Sequence, residues 1–416
     1  MLILWFNIFL CLVLAVWFVK KQYSKPYFWL IVASFLCKVL ATIAFVHLHQ
    51  NLYPQYTPDY QLIFADSCKL SNFFSQSILN YFKILYSAPL DTESWYLASQ
   101  PRAFFAVKLY SLLVWLTGQH FWLSMLYASL AVLAALWWLA RTLMRFFPHT
   151  RSAVLLSFIF LPSLAFWASA TTKESLLMIF LAVLSVIFLK AIYQRVVWWQ
   201  AIIFLILAYW LLLLNYYYAF GFFFAVCLYL FMSFIGRLKA GQKIALLFGF
   251  VLTLFCLTFL HHNLRVEYFV NALYRNYRLI LAVSPQGSAI DLGLQATWQS
   301  IVFNSPQGLW IGLFAPLPYQ ISKWQVLPIA IENLAILLLG LYVLFFTIRC
   351  KILDLKSKKW KLRNVTPLGS ERKAMICLFL FVLIMATFLG LSSPNFGALS
   401  RYRIGFSPFL VYALLV

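Results

Sequence analysis

The chain is a succession of apolar runs close to twenty residues long, parted by short basic loops. A run of that length, wound as a helix, covers the ~30 Å hydrocarbon core of a bilayer. The runs fall at 2–19, 27–46, 104–118, 121–140, 152–170, 175–192, 198–215, 216–235, 243–260, 326–348, 374–391 and 405–416. They predict an all-α fold: a polytopic transmembrane helical bundle of about 11–12 apolar helices. Composition agrees, because 64% of residues are hydrophobic and 10% charged, against roughly 45–50% and about 25% in soluble proteins. A soluble enzyme, a disordered chain and a secreted disulfide scaffold are excluded. So is a β-barrel, whose strands alternate over ~10 residues and do not form continuous apolar runs. Lys20-Lys21 follows the first run, whereas a signal peptide carries its charge before it, so 2–19 reads as a retained span.

The formal charge of +22 comes from 32 Lys and Arg against 10 Asp and Glu. These cations collect in loops, as the positive-inside rule requires, and no nucleic-acid-binding signature accompanies them, so no nucleic-acid partner is expected. Lys20–Lys25, Arg141–Arg151, Lys190–Arg195, Arg237–Lys243 and 349–373 are expected to be cytoplasmic. Parity fails once, between the first two of these loops, where three runs lie. Either the short, Lys108-bearing run 104–118 lies along the interface or re-enters, or it spans and Arg141–Arg151 face outward.

Two large outer loops follow, 47–103 and 261–325, within one integral domain covering 1–416. Asp59, Asp66, Asp91, Glu93, Glu174, Glu267 and Asp291 then gather outside, opposite Asp354 and Glu371, with Glu332 at the start of a span. Segment 61–86 has helical apolar spacing with Lys69 and Lys83 among its polar positions, and suits helices lying on the bilayer surface. Segment 263–282 interleaves Arg265, Arg275 and Arg278 with Tyr268, Phe269, Tyr274 and Tyr277. It reads either as an aromatic anchor or as a basic wall around a lipid-linked phosphate.

Four stretches are candidates for chemistry. In Leu161-Pro162-Ser163 through Thr171-Thr172-Lys173-Glu174, a proline interrupts an apolar run, small residues follow, and a charged pair meets the membrane edge. In Asn395 through Arg401-Tyr402-Arg403, two arginines sit where the positive-inside rule disfavours them, and arginine forks grip phosphate oxygens. Asp66 lies in the first outer loop, seven residues after Asp59. Phe314-Ala315-Pro316-Leu317-Pro318 precedes Glu332-Asn333 and reads as an irregular or re-entrant segment. The seven cysteines form no CxxC, and His47, His49, His261 and His262 lack an acidic cluster, so no cofactor or metal site is indicated.

In their order along the chain these pieces resemble the GT-C superfamily of polytopic membrane glycosyltransferases, including the protein mannosyltransferase-like and aminoarabinose transferase-like enzymes of bacteria. The pieces are the Asp66 loop with its amphipathic helix, the Thr117-Gly118 turn, Arg141 and Arg145, Pro162-Ser163 through Lys173-Glu174, Phe314-Ala315-Pro316, Glu332-Asn333 and Arg401-Tyr402-Arg403. The resemblance implies a multi-pass protein of the bacterial inner membrane with an outward-facing active site. It implies transfer of a sugar from a polyprenyl-phosphate-linked donor to a glycan, lipid or protein acceptor in cell-surface polysaccharide assembly. A loop carboxylate acts as base, matched here by Asp66, with Glu174 and Asp59 as rivals because Ser67 stands where the family has a second acid. Arg401 and Arg403 match the family's late arginine-bearing segment, and with Lys173, Tyr402, Glu332, Arg275 and Arg278 they make up the candidate substrate-binding set. A polysaccharide polymerase, an O-antigen-ligase-like enzyme and a lipid-linked sugar flippase are the alternatives.

Overall fold

The computed structural model describes residues 27–52, 57–87, 94–235, 265–284, 287–321, 324–356 and 369–416, with isolated positions between 5 and 20 and between 241 and 249. The runs 2–19 and 243–260, the pair His261-His262, Asp91, Glu93 and residues 357–368 of the basic loop lie wholly or largely outside them. The protein is all-α. Among the described residues the one β feature is an isolated bridge between Ala289 and Asn395. Six described helices are long and apolar enough to cross a membrane, which makes this a membrane protein. The chain divides into two compact units, Met1–Ala219 and Phe220–Val416.

The first unit contains α1 (Phe28–Leu52), α2 (Asp59–Gln76), α3 (Ile78–Tyr86), α4 (Pro101–Leu116), α5 (Phe121–Phe146), α6 (Arg151–Phe158), α7 (Pro162–Trp167) and α8 (Lys173–Tyr193). α9 (Trp198–Ile235) begins in this unit and ends in the second. Helices α1, α5, α8 and α9 have span length. α4, at 16 residues, rises only about 24 Å. Its Lys108 does not sit idle in an apolar run. It donates to the carbonyls of Leu85 at 2.9 Å and Ser87 at 3.1 Å, closing the C-terminal end of α3.

Two expectations change. The run 152–170 is not one span but two short helices, of eight and six residues. Pro162 supplies no N–H and forces Leu161 into extended backbone, so the helix stops before it. The connector expected at 215–221 shrinks to a kink at Asn215, whose φ of −157° and ψ of 83° interrupt α9.

α2 forms where Pro58 fixes an extended N-cap and Asp59 places negative charge on the first turn. Tyr60, Ile63, Ser67, Leu70 and Ser71 recur at helical spacing and are buried. That stripe packs on α4, where Ser67 donates to the Val107 carbonyl at 3.3 Å. In α3, Tyr81 turns inward to Ser111 at 2.9 Å, while Ile78, Leu79, Phe82 and Tyr86 remain exposed.

The second unit contains the end of α9, then α10 (Val266–Ala282), α11 (Trp298–Phe314), α12 (Leu327–Lys356), α13 (Ser370–Ser392), α14 (Phe396–Arg403) and α15 (Ser407–Leu415). Its densest packing joins α11 to α13. Gly308 and Gly312 on α11 face Ala386 and Gly390 on α13, an arrangement of small residues four apart on both helices. Without side chains between them the two backbones touch. α11 lies inside the segment read from sequence as a loop, so that segment contributes a helix to the core of this unit.

Candidate functional site

In the first unit the sequence-predicted residues fall around the irregular stretch 168–172, between α7 and α8. Ala170 adopts a positive φ of 65° and is fully buried. A non-glycine residue holds that conformation only when its surroundings impose it, and here they do. Ser129 Oγ accepts from the Ala170 N–H at 2.9 Å, and Ser175 Oγ donates to the Ala170 carbonyl at 2.9 Å. Tyr110 donates to the Thr172 carbonyl at 2.8 Å. The Thr172 hydroxyl caps α8 by accepting from the Ser175 N–H at 3.1 Å. From the side of α1, Lys38 Nζ donates to the carbonyls of Ala165 at 3.0 Å and Ala168 at 2.8 Å.

This fixed stretch meets the start of α2. Thr171 Oγ1 donates to the Tyr60 carbonyl at 3.3 Å, and Lys173 Nζ lies 3.6 Å from Asp59 Oδ2. Beneath them Tyr60, Phe45, Met125 and Ala170 form a buried cluster, with Phe166 and Trp167 packed against it. The Trp167 indole N–H is buried and has no hydrogen-bond partner among the described residues.

The three candidate bases occupy different environments. Asp66 is fully buried, and its two oxygens accept from the Tyr96 N–H at 3.2 Å and the Leu97 N–H at 2.9 Å. Lys69 completes that closure, 3.6 Å from Asp66 and donating to the Ser94 carbonyl at 2.6 Å. Asp66 therefore fastens the 94–97 turn onto α2. Glu174 is also buried, in the first turn of α8, where the helix dipole favours its charge. Asp59 differs from both, with 44% of its side chain exposed.

In the second unit three separated motifs converge on Asn333. Its Nδ2 donates to the Pro316 carbonyl at 2.8 Å, and its Oδ1 accepts from Arg403 Nη2 at 2.7 Å. Arg403 Nη1 also donates to the Leu313 carbonyl at 3.1 Å, and the residue is buried. The guanidinium thus ties α14 to the last turn of α11 and, through Asn333 on α12, to the irregular turn that follows. Arg401, Tyr402 and Glu332 are half-buried, and Arg401 lies 6.0 Å from the Tyr402 ring centroid. Arg275 and Arg278 sit on the exposed face of α10, whose opposite face buries Val270, Leu273 and Tyr277.

The sequence reading missed a second polar device in this unit. Tyr277 donates to Asp291 Oδ1 and accepts from the Leu292 N–H at 2.8 Å. That hydrogen bond, then the Gly293 N–H, holds the Asp291 carboxyl below its ordinary pKa, and Arg278 adds to the effect. Burial pushes the Tyr277 hydroxyl up. Asn395 caps α14 and donates to Ser284 Oγ at 3.0 Å and Ser288 Oγ at 3.1 Å. Nothing local announces these pairs, which are fourteen and over a hundred residues apart.

Among the described residues no three His, Cys, Asp or Glu side chains come together as a metal-binding group. Comparison of the chain with known protein families, with curated proteins and with solved structures finds no match.

Proposed function

We propose that this protein is an integral membrane glycosyltransferase of GT-C type. It takes a sugar from a polyprenyl-phosphate-linked donor at the outer face of a bacterial cytoplasmic membrane and transfers it to a surface glycan or glycolipid. The observation that carries the proposal is the pairing of Asp59 with Lys173 at 3.6 Å, over a backbone stretch held in strain at Ala170. An accessible carboxylate and an ammonium thereby share one edge of a helical membrane unit.

The reaction needs an acceptor hydroxyl to attack the anomeric carbon while the carbon–oxygen bond to phosphate breaks. The hydroxyl proton passes to a carboxylate, and the lipid phosphate departs with the bonding electrons. Asp59 is the carboxylate with solvent access, whereas Asp66 is consumed by the 94–97 turn. A positioned base of this kind contributes roughly 10²–10⁴-fold. Lys173 supplies positive charge where the phosphate gathers it.

The test is transfer of labelled sugar from polyprenyl-phosphate-linked donors by purified full-length protein. Asp59→Asn, Asp66→Asn, Glu174→Gln and Arg401→Ala are assayed beside it. Single-sugar transfer that falls about 100-fold or more in Asp59→Asn, with folding intact, supports the reading. Transfer of whole oligosaccharide blocks from a diphosphate-linked lipid, with no single-sugar transfer, replaces it by a polymerase or ligase. No transfer from any lipid-linked donor overturns it.

A further inference from the structure

The second unit carries a cleft of about 710 Å³ where the loop after α10 meets the first turns of α11. That volume lies within the ~300–1,000 Å³ of small-ligand sites. Among the described residues its lining holds no Asp, Glu, Lys, Arg or His, in a chain whose formal charge is +22. Instead it presents the side-chain amides of Gln295, Gln299 and Asn304 and the hydroxyl of Ser300. Two aromatic rings join them, Trp298 at 58% exposure and Phe303 at 85%.

The cleft wall is held before any ligand arrives. Leu292 is buried, and its N–H is fixed by Tyr277. The Gly293 N–H bonds Asp291 Oδ1 at 2.9 Å. Upstream, the Ile290 N–H donates to the Pro394 carbonyl at 2.9 Å, and the Phe396 N–H to the Ser288 carbonyl at 3.0 Å. Within the cleft, Ser300 Oγ accepts from the Gln295 N–H at 3.0 Å, and Asn304 Nδ2 donates to the Ser300 carbonyl at 2.9 Å. The side-chain oxygen of Asn304 and the side-chain amides of Gln295 and Gln299, all in the lining, make no hydrogen bond among the described residues. A wall already ordered loses little conformational freedom on binding.

The chemistry of this lining selects its occupant. A phosphate or a phospholipid headgroup wants cations, and a metal ion wants carboxylates. An acyl chain wants a surface without amides. Planar amides offer a donor and an acceptor side by side, which matches vicinal hydroxyls. Exposed aromatic rings offer flat apolar faces to the C–H side of a pyranose. We infer that this cleft binds a neutral glycan, an inner residue of the acceptor. The inference deepens the proposed transferase reading by naming its acceptor class, and it is tested by binding apart from transfer.

The full-length protein in lipid nanodiscs is titrated calorimetrically with neutral hexasaccharides of glucose, galactose, mannose and N-acetylglucosamine, and with a uronic-acid hexasaccharide of the same length. A neutral member binds, the acidic one binds at least tenfold more weakly, and Trp298→Ala and Gln299→Ala each weaken binding tenfold or more. Both side chains are exposed, so folding is retained in the two variants. Binding of no neutral glycan, equal binding of the acidic one, or affinity unchanged in both variants overturns the assignment. Protein that binds but transfers nothing supports the cleft and removes the transferase reading. Protein that transfers sugar but binds no neutral glycan removes the cleft alone.

Discussion

Lys38 Nζ donates to the carbonyl oxygen of Ala168 at 2.8 Å, joining α1 to the end of α7 across 130 residues of chain. A second bond to Ala165 at 3.0 Å makes the amino group a cap for the broken helix. The strained stretch that presents Lys173 and Glu174 therefore hangs on a residue in a different span.

Replacing Lys38 with Met keeps the stem and removes both bonds. A buried carbonyl at Ala168 and a part-buried one at Ala165 then lose their donor, at a cost of about 1–3 kcal/mol. Thermal unfolding of the purified protein in detergent should show the loss. Stability equal to or above that of the parent would mean that the cap contributes nothing.

Asp59 and Asp66 should separate cleanly under the same substitution. Asp66→Asn sets an amide against the N–H groups of Tyr96 and Leu97, and should cost about 1–3 kcal/mol. Asp59→Asn breaks a half-exposed ion pair and should cost no more than about 1 kcal/mol. Denaturation of the two variants side by side checks the contrast, and a destabilised Asp59→Asn beside an unchanged Asp66→Asn would reverse the assignment.

The contact between α11 and α13 should not tolerate a methyl group. A Cβ at Gly312 would run into the Ala386 carbonyl, and one at Gly390 into the Gly308 carbonyl. These obstacles are backbone, which no rotamer change can move aside. Gly312→Ala should therefore cost about 1–3 kcal/mol or more, through forced separation of the helices. Gly340→Ala, where a Cβ meets nothing within 4 Å, is the matched control. Equal unfolding temperatures for the two variants would contradict the packing.

The loop carrying Leu292 and Gly293 should loosen in acid. The folded pKa of Asp291 lies below the ordinary carboxylate value of 3.8, chiefly through Tyr277. Its stabilising contribution is complete above the unfolded pKa and disappears as pH falls through the folded one. Amide exchange over residues 289–296, corrected for intrinsic rate, should accelerate at roughly pH 3 relative to pH 5. Tyr277→Phe should already show the fast exchange at pH 5, and indifference to both changes would detach the loop from this pair.

Much of the fold is legible along the chain because a bilayer makes it so. Each span must satisfy its own backbone, so twenty apolar residues suffice to announce a helix. The stripe of α2 and the break at Pro162 are local in the same sense, since one follows from helical periodicity and the other from a missing N–H. Asp59 and Asp66 show where such reasoning ends. At seven residues apart they share one face of α2, separated by about 10.5 Å of rise. Nothing in that spacing says that the 94–97 turn covers one and leaves the other open to Lys173.

Hydropathy, a sum over neighbours in the chain, determined that this protein is a helical membrane protein. Tertiary structure alone decided which carboxylate is buried, which cation caps a distant helix, and where an uncharged amide-and-aromatic cleft opens. Each of those depends on groups brought together from remote segments. Burial and hydrogen-bond satisfaction belong to that assembly, because a side chain's partners do not exist until the chain has folded.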